Sequence, residues 1–233
     1  MAEIWTPESL RAFEEEVKAI YLQGRIRAPV HLSRGNEKQL IEIFQGVHPE
    51  DWCFGTYRSH LHCLLKGIPR EQVMAEILAG HSIHLEFPDY RFYSSAIVAG
   101  GLPIALGTAL GLKRQGKPEK VWCFVGDMAA ETGAFHEAMK YAQGFNLPIT
   151  FVVECNGLST NTPTHLVWGI AHQHVTVGQT LRRQSFDGWN EGGVIRYCYD
   201  REGWPHYGVG SLVSFGSGQA EKAPAEERSD VMS

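Results

Sequence analysis

Asp127 and Asn156 are the two side chains whose types and spacing point most directly to chemistry. One is a carboxylate and the other an amide, 29 positions apart, and each stands just after a short apolar run. Gly126-Asp127-Met128 follows Val121 to Val125 (VWCFV), and Asn156-Gly157 follows Ile149 to Val153 (ITFVV) closely. Both runs are β-branched, aromatic and too short for a helix, so they read as buried parallel strands. Between them, Thr132 to Gly144 sets Phe135, Ala138, Met139 and Ala142 at helical spacing, with Gly144 as the stop. The resulting βαβ unit brings both carboxyl ends to one sheet edge, where open α/β sheets bind ligands. A carboxylate, an amide oxygen and one backbone carbonyl, which Leu158 can supply, suit Mg2+, a hard cation that keeps part of its shell for water and phosphate. The helix beginning near Thr132 would turn free N–H groups toward the same crevice and favour phosphate oxygens there. A Mg2+-bridged diphosphate is the expected occupant. Gly-Asp on its own also fits an ordinary capped turn.

The wider set Gly126-Asp127, Gly133, Glu137-Ala138, Leu147-Pro148 and Asn156 resembles the thiamine diphosphate fingerprint of the α subunits of 2-oxo acid dehydrogenase E1 components. Upstream, Phe13-Glu14-Glu15, Tyr21, Gly24-Arg25-Ile26, His31-Leu32-Ser33, Gly35-Asn36-Glu37, Thr56-Tyr57-Arg58-Ser59-His60, Ser82-Ile83-His84-Leu85 and Ile97-Val98 occur in that family's order. The likeness therefore covers residues from about 10 to 160. It implies the thiamine diphosphate-binding fold, with Asp127, Asn156 and the Leu158 carbonyl on the metal and Met128 and Ala129 at the cofactor. It further implies Tyr57 and Arg58 on the diphosphate, backbone at Ala96 and Val98 on the aminopyrimidine, and His60 facing the reacting centre as an acid or orienting group. An Arg at phosphate is sensible on its own physics, because its planar fork matches phosphate oxygens. Read in isolation, Tyr57-Arg58 is also an ordinary surface pair. The crowding of His60, His62, His81 and His84 also raises a zinc site, although HExxH spacing is missing.

The chain departs from the family pattern in several places. Met128 stands where Gly is usual, Cys155 where many relatives have Asn, and Leu158 where an aromatic is frequent. Ala96 and Ala99 replace glycines and add a Cβ to a loop that contacts the cofactor in the family. After Asn161 the chain is abbreviated. Val194 to Tyr199 (VIRYCY) reads as the next strand, and Tyr199-Asp200-Arg201-Glu202 with His206 is a faint echo of a distal motif. His206 is read as a surface-loop histidine.

With 233 residues and 43% hydrophobic content, the chain can bury one α/β core. We expect a single domain over residues 1–215, a mostly parallel sheet flanked by helices, with an N-terminal helical extension over about residues 1–50. A polar, Pro-interrupted tail over 216–233 is expected to be disordered. Helices are expected at Pro7 to Tyr21, Asn36 to Phe44, Arg70 to Leu78 and Leu102 to Lys113, where Gly107 and Gly111 would permit close packing. A net charge of −5 with no Lys/Arg block leaves no footprint for nucleic acid or an anionic membrane, and no run is long enough to span a bilayer. The five cysteines form no CxxC pair and the N-terminus lacks a signal-peptide core, which predicts a reducing cytoplasm.

The resemblance implies decarboxylation of a 2-oxo acid, with the acyl unit passed to a lipoyl carrier. It also implies half of an active site, because that family's cofactor lies between this domain and a pyrimidine-binding domain. The expected partner is a β-type subunit in an α2β2 assembly. Two other readings share the fingerprint: the N-terminal half of a split transketolase-like enzyme, and a degenerate cofactor-binding subunit without activity.

Overall fold

The structure is a computed structural model, and it describes residues 4–160, 162–169, 181–186, 188–201 and 206–207. The expected tail over 216–233 lies outside the described residues. The chain opens with α1 (Pro7–Leu22), whose start is fixed by a reciprocal box in which Ser9 N–H donates to the Thr6 hydroxyl and Thr6 N–H donates to the Ser9 hydroxyl. Then follow β1 (Val30–His31), α2 (Glu37–Phe44), β2 (Trp52–Thr56), α3 (His60–Leu65), α4 (Arg70–Leu78), β3 (Glu86–Phe87), β4 (Phe92–Ser95) and α5 (Gly101–Arg114). The second half runs β5 (Val121–Gly126), α6 (Asp127–Ala130), α7 (Gly133–Gly144), β6 (Ile149–Cys155), β7 (Leu158–Ser159), β8 (Thr162–Pro163) and α8 (Thr164–Trp168). It closes with β9 (Arg182–Phe186), β10 (Trp189–Cys198) and β11 (His206–Tyr207).

Seven strands form one sheet in the order β3-β4-β2-β5-β6-β10-β9. The four inner pairings are parallel and the two edge strands run antiparallel. This is the expected α/β architecture with a mostly parallel sheet. The five helices expected from spacing each fall within one residue of an observed helix.

Alternation along β5 assigns the two faces, as a period of two requires. Trp122 and Phe124 point into a cluster with Leu10 and Phe13 of α1, Leu40 and Ile43 of α2, and Val152 of β6. Val121, Cys123 and Val125 point the other way, against Ala105 and Ala109 of α5 and Phe135 and Ala138 of α7. Each large side chain buried this way stabilises the fold by about 1.5–3 kcal/mol. The expectation for Gly107 and Gly111 is corrected here. A Cβ at either would meet nothing within 4 Å, so it is the alanines of α5 that pack closely within this chain.

Candidate functional site

The register sets the ends of three parallel strands side by side. Gly126 at the end of β5 pairs with Glu154 of β6, and Cys155 pairs with Cys198 at the end of β10. Asp127 therefore emerges beside Asn156, with Tyr199 on the far side. Asp127 is buried, and its Oδ2 accepts from the Thr164 hydroxyl at 2.7 Å. The Asn156 amide is fixed in orientation: Nδ2 donates to the Tyr199 hydroxyl at 3.2 Å, and Oδ1 accepts from Leu158 N–H at 3.1 Å.

The end of β2 contributes the opposite wall. Ser59 Oγ accepts from Thr56 N–H at 2.8 Å, and the turn is so tight that a Cβ on Gly55 would lie 2.3 Å from Ser59 Oγ. That turn presents Tyr57 and Arg58. The Arg58 guanidinium donates to the Leu32 carbonyl and sits 5.8 Å from the centroid of the Tyr57 ring. Behind Tyr57, at 4.5 Å between ring centroids, lies His31. His31 faces His206 across the β1–β11 ladder, with the two Nδ1 atoms 2.7 Å apart. Burial and then the Arg58 charge push both imidazoles down to about 3. Both are therefore neutral at ordinary pH, one ring donating and the other accepting.

Tyr57, Arg58, Val98, Asp127, Met128, Ala129, Asn156 and Leu158 line a single crevice, which encloses about 760 Å³ of non-protein space including the solvent at its mouth. A model of the dehydrogenase E1 component family matches residues 7–167. The chain belongs to that family. It is 35% identical over 164 residues to the α subunit of an acetoin:2,6-dichlorophenolindophenol oxidoreductase from Bacillus subtilis (strain 168), covering 66% of this chain and 49% of that subunit. It is 32% identical over 181 residues to a pyruvate dehydrogenase E1 component subunit alpha from Porphyra purpurea, covering 70% and 53% respectively. An acetoin:2,6-dichlorophenolindophenol oxidoreductase α subunit from Cupriavidus necator is 32% identical over 66% of this chain and 49% of its own length. The chain thus spans about half the length of the curated relatives it matches.

Several expectations for this E1-family chain are corrected by its geometry. His60 does not face the crevice. As the first residue of α3 it turns into the helical layer, where it is 1% exposed, with Nδ1 3.1 Å from Glu14 Oε1 and Nε2 2.9 Å from Ser82 Oγ. His206 is not a surface-loop residue either; it is 1% exposed because the β1–β11 pairing draws it against His31. Ala96 is exposed and its neighbours Ser95 and Ile97, not Ala96 itself, line the crevice. Ala99 adopts a left-handed backbone at φ 61 despite its Cβ. The helix whose N-terminus meets the crevice is the short α6, through Met128 and Ala129, while α7 starts beyond a turn closed by Thr132 on the Ala129 carbonyl.

Three contributors were not foreseen. Glu154 and Tyr199 line the crevice because each stands at a strand end level with Asp127, a placement that the parallel register would have supplied once β10 was set beside β6. Thr164 reaches Asp127 only through the return of the chain by β7 and β8, for which the sequence carries no local signal. The crowded histidines separate into different surroundings: His62 Nε2 lies 3.3 Å from Glu154 Oε1, whereas His81 pairs with Glu76 and its ring lies tilted against that of His84.

The donors fit a hard cation. Asp127 offers a carboxylate, Asn156 Oδ1 keeps a second lone pair beyond its bond to Leu158 N–H, and Cys155 is not a competing soft ligand. Hydrogen bonding with Cys198, then burial and the Asp127 charge, hold the Cys155 thiol far above its ordinary value, so no thiolate is present. A Cβ at Gly126 would meet nothing within 4 Å, so the space over the end of β5 is open. The bulk of Met128 is accommodated by Trp168 of α8, whose indole N–H donates to the Met128 sulfur at 2.9 Å.

Proposed function

We propose that this chain is the α-type, diphosphate-binding half of a thiamine diphosphate- and Mg2+-dependent 2-oxo acid dehydrogenase E1 enzyme. The observation that carries the reading is the convergence of Asp127, Asn156 and Arg58, from the ends of three neighbouring parallel strands, on one crevice. In this reading Asp127, Asn156 Oδ1 and the Leu158 carbonyl hold Mg2+ against the diphosphate. Backbone N–H groups at Met128 and Ala129 and the Arg58 guanidinium neutralise phosphate oxygens, and Tyr57 borders them. Val98 and its neighbours meet the aminopyrimidine. The bound cofactor would supply the electron sink for decarboxylation, and the chain holds and orients it.

The reading also requires a partner. Among the described residues that line the crevice there is no histidine. Ile97 is 74% and Val98 54% exposed at its rim, and Leu166 and Val167 of α8 are exposed nearby. A β-type subunit with a pyrimidine-binding domain would cover this apolar rim and complete the site, in an α2β2 assembly that delivers the acyl group to a lipoyl carrier. The five cysteines of this chain, which form no CxxC pair, suit a reducing cytoplasm. Among the described residues no helix is long and apolar enough to cross a membrane.

The test is reconstitution with a pyrimidine-domain subunit, Mg2+ and thiamine diphosphate, reading 2-oxo acid-dependent reduction of an artificial electron acceptor. Turnover is expected only with both chains and both ligands. Full turnover by this chain alone would contradict the half-site, and a silent complex that binds cofactor would contradict the enzymatic reading.

A further inference from the structure

Glu14 lies in α1 and is not among the residues that line the crevice, and no catalytic requirement explains a carboxylate there. It is 1% exposed. Its two oxygens have different partners: Oε2 accepts from Ser33 N–H at 3.0 Å, and Oε1 lies 3.1 Å from His60 Nδ1. A carboxylate oxygen accepts, so the Nδ1–H of His60 points at Glu14, while its Nε2 lies 2.9 Å from the Ser82 hydroxyl. The two segments gripped in this way are the two that determine where Arg58 can be. Ser33 directly follows Leu32, whose carbonyl receives the Arg58 guanidinium, and His60 lies two residues beyond Arg58 at the start of α3.

We propose that Glu14 is the positioning residue for Arg58, a two-point clamp that fixes both the backbone carrying the guanidinium and the carbonyl on which it rests. A long Arg side chain loses rotamer freedom when it binds phosphate, and a site that has already restricted it binds more tightly. Packing of α1 alone would be served by an apolar residue without the desolvation cost of a buried carboxylate. What the carboxylate adds is simultaneous hydrogen-bonded reach to two chain segments that also meet through the Arg58–Leu32 bond and the His31–Tyr57 ring contact. His60 acts within this clamp, through Glu14, and not on substrate.

The inference rests on the proposed phosphate role of Arg58, and the experiment separates the two. The full chain and its Glu14→Ala, Ser82→Ala, Arg58→Ala and Glu14→Ala/Arg58→Ala variants are titrated calorimetrically with thiamine diphosphate in excess Mg2+. Glu14→Ala is expected to weaken binding by roughly tenfold or more, and Ser82→Ala, which also strips His60 of a buried bond, by less than about twofold. In the double variant the losses should fail to add, because the clamp has nothing left to position. A purely structural Glu14 would give additive losses, and Ser82→Ala would then track Glu14→Ala. Parent affinity in Glu14→Ala with impaired Arg58→Ala overturns the clamp alone; parent affinity in Arg58→Ala overturns the phosphate assignment and the clamp with it. Should Glu14→Ala not fold, Glu14→Asp is judged by the same criteria, since it keeps the charge but is one methylene too short to reach both partners.

Discussion

Acid should destabilise this fold earlier than its carboxylates alone would dictate, and the His31–His206 pair should be the reason. The two rings are 7% and 1% exposed, and their Nδ1 atoms are 2.7 Å apart. Burial, then Arg58, depresses both to about 3 from an ordinary value of 6.5. Because the folded-state value lies below the unfolded one, the unfolded chain binds protons first as pH falls. Stability is therefore full above the unfolded value and is lost progressively between it and the folded value. Each histidine then removes about 1.4 kcal/mol per pH unit inside that window. At about pH 5 the pair accounts for a loss of up to about 4 kcal/mol relative to neutral pH, a large share of the 5–15 kcal/mol typical of a domain. The assay is urea unfolding at about pH 7.5 and about pH 5 for the parent, His31→Gln and His206→Gln, comparing the pH-dependent loss and not the absolute stability. Each variant should lose about 2 kcal/mol less than the parent on acidification. Equal losses in all three chains would refute the reasoning, since other titrating groups are common to them.

Three further outcomes follow from single contacts. Gly55→Ala places a Cβ 2.3 Å from Ser59 Oγ and 2.9 Å from Ser59 Cβ, so the turn that carries Tyr57 and Arg58 must shift. Stability should fall by about 1–3 kcal/mol and cofactor affinity should fall with it, and a silent substitution would show that the turn tolerates movement. Thr164→Val keeps the shape but removes the donor to Asp127, and Mg2+ affinity measured in the presence of diphosphate should drop by about tenfold, whereas unchanged affinity would mean that Asp127 needs no such orientation. Trp189→Phe deletes the 2.9 Å bond from the indole to the Leu147 carbonyl in the core, for a loss of about 1–3 kcal/mol in denaturant titration with cofactor binding intact.

The strands that build the metal end of the site were legible because VWCFV and ITFVV are unbroken apolar runs bounded by turn residues, and a parallel βαβ pair leaves little choice of edge. Helices α1, α2, α4, α5 and α7 were legible from spacing, whereas the short α3, α6 and α8 have too few turns to show a period. By contrast, β2 (WCFGT) carries an internal Gly and ends in Thr, and β4 ends in two serines, so neither reads as a buried strand, although together they place Arg58. His60 was misplaced because the order of residues in a motif does not say which way the first turn of a helix points. Arg58 lines the crevice, whereas His60, two residues on at the start of α3, is buried against Glu14 and Ser82. Burial of His206 depends on pairing with His31, a contact 175 positions away, for which no local pattern exists.

In the proposed function, Asp127 and Asn156 form one end of a metal-diphosphate site on adjacent strand ends. Calorimetric titration of the full chain and of Asp127→Ala with thiamine diphosphate, with and without Mg2+, tests it most directly. Mg2+-dependent binding is expected of the parent, with loss of that dependence in Asp127→Ala and an unchanged circular dichroism spectrum. Equal Mg2+-dependent affinity in the parent and in a folded Asp127→Ala chain would contradict it.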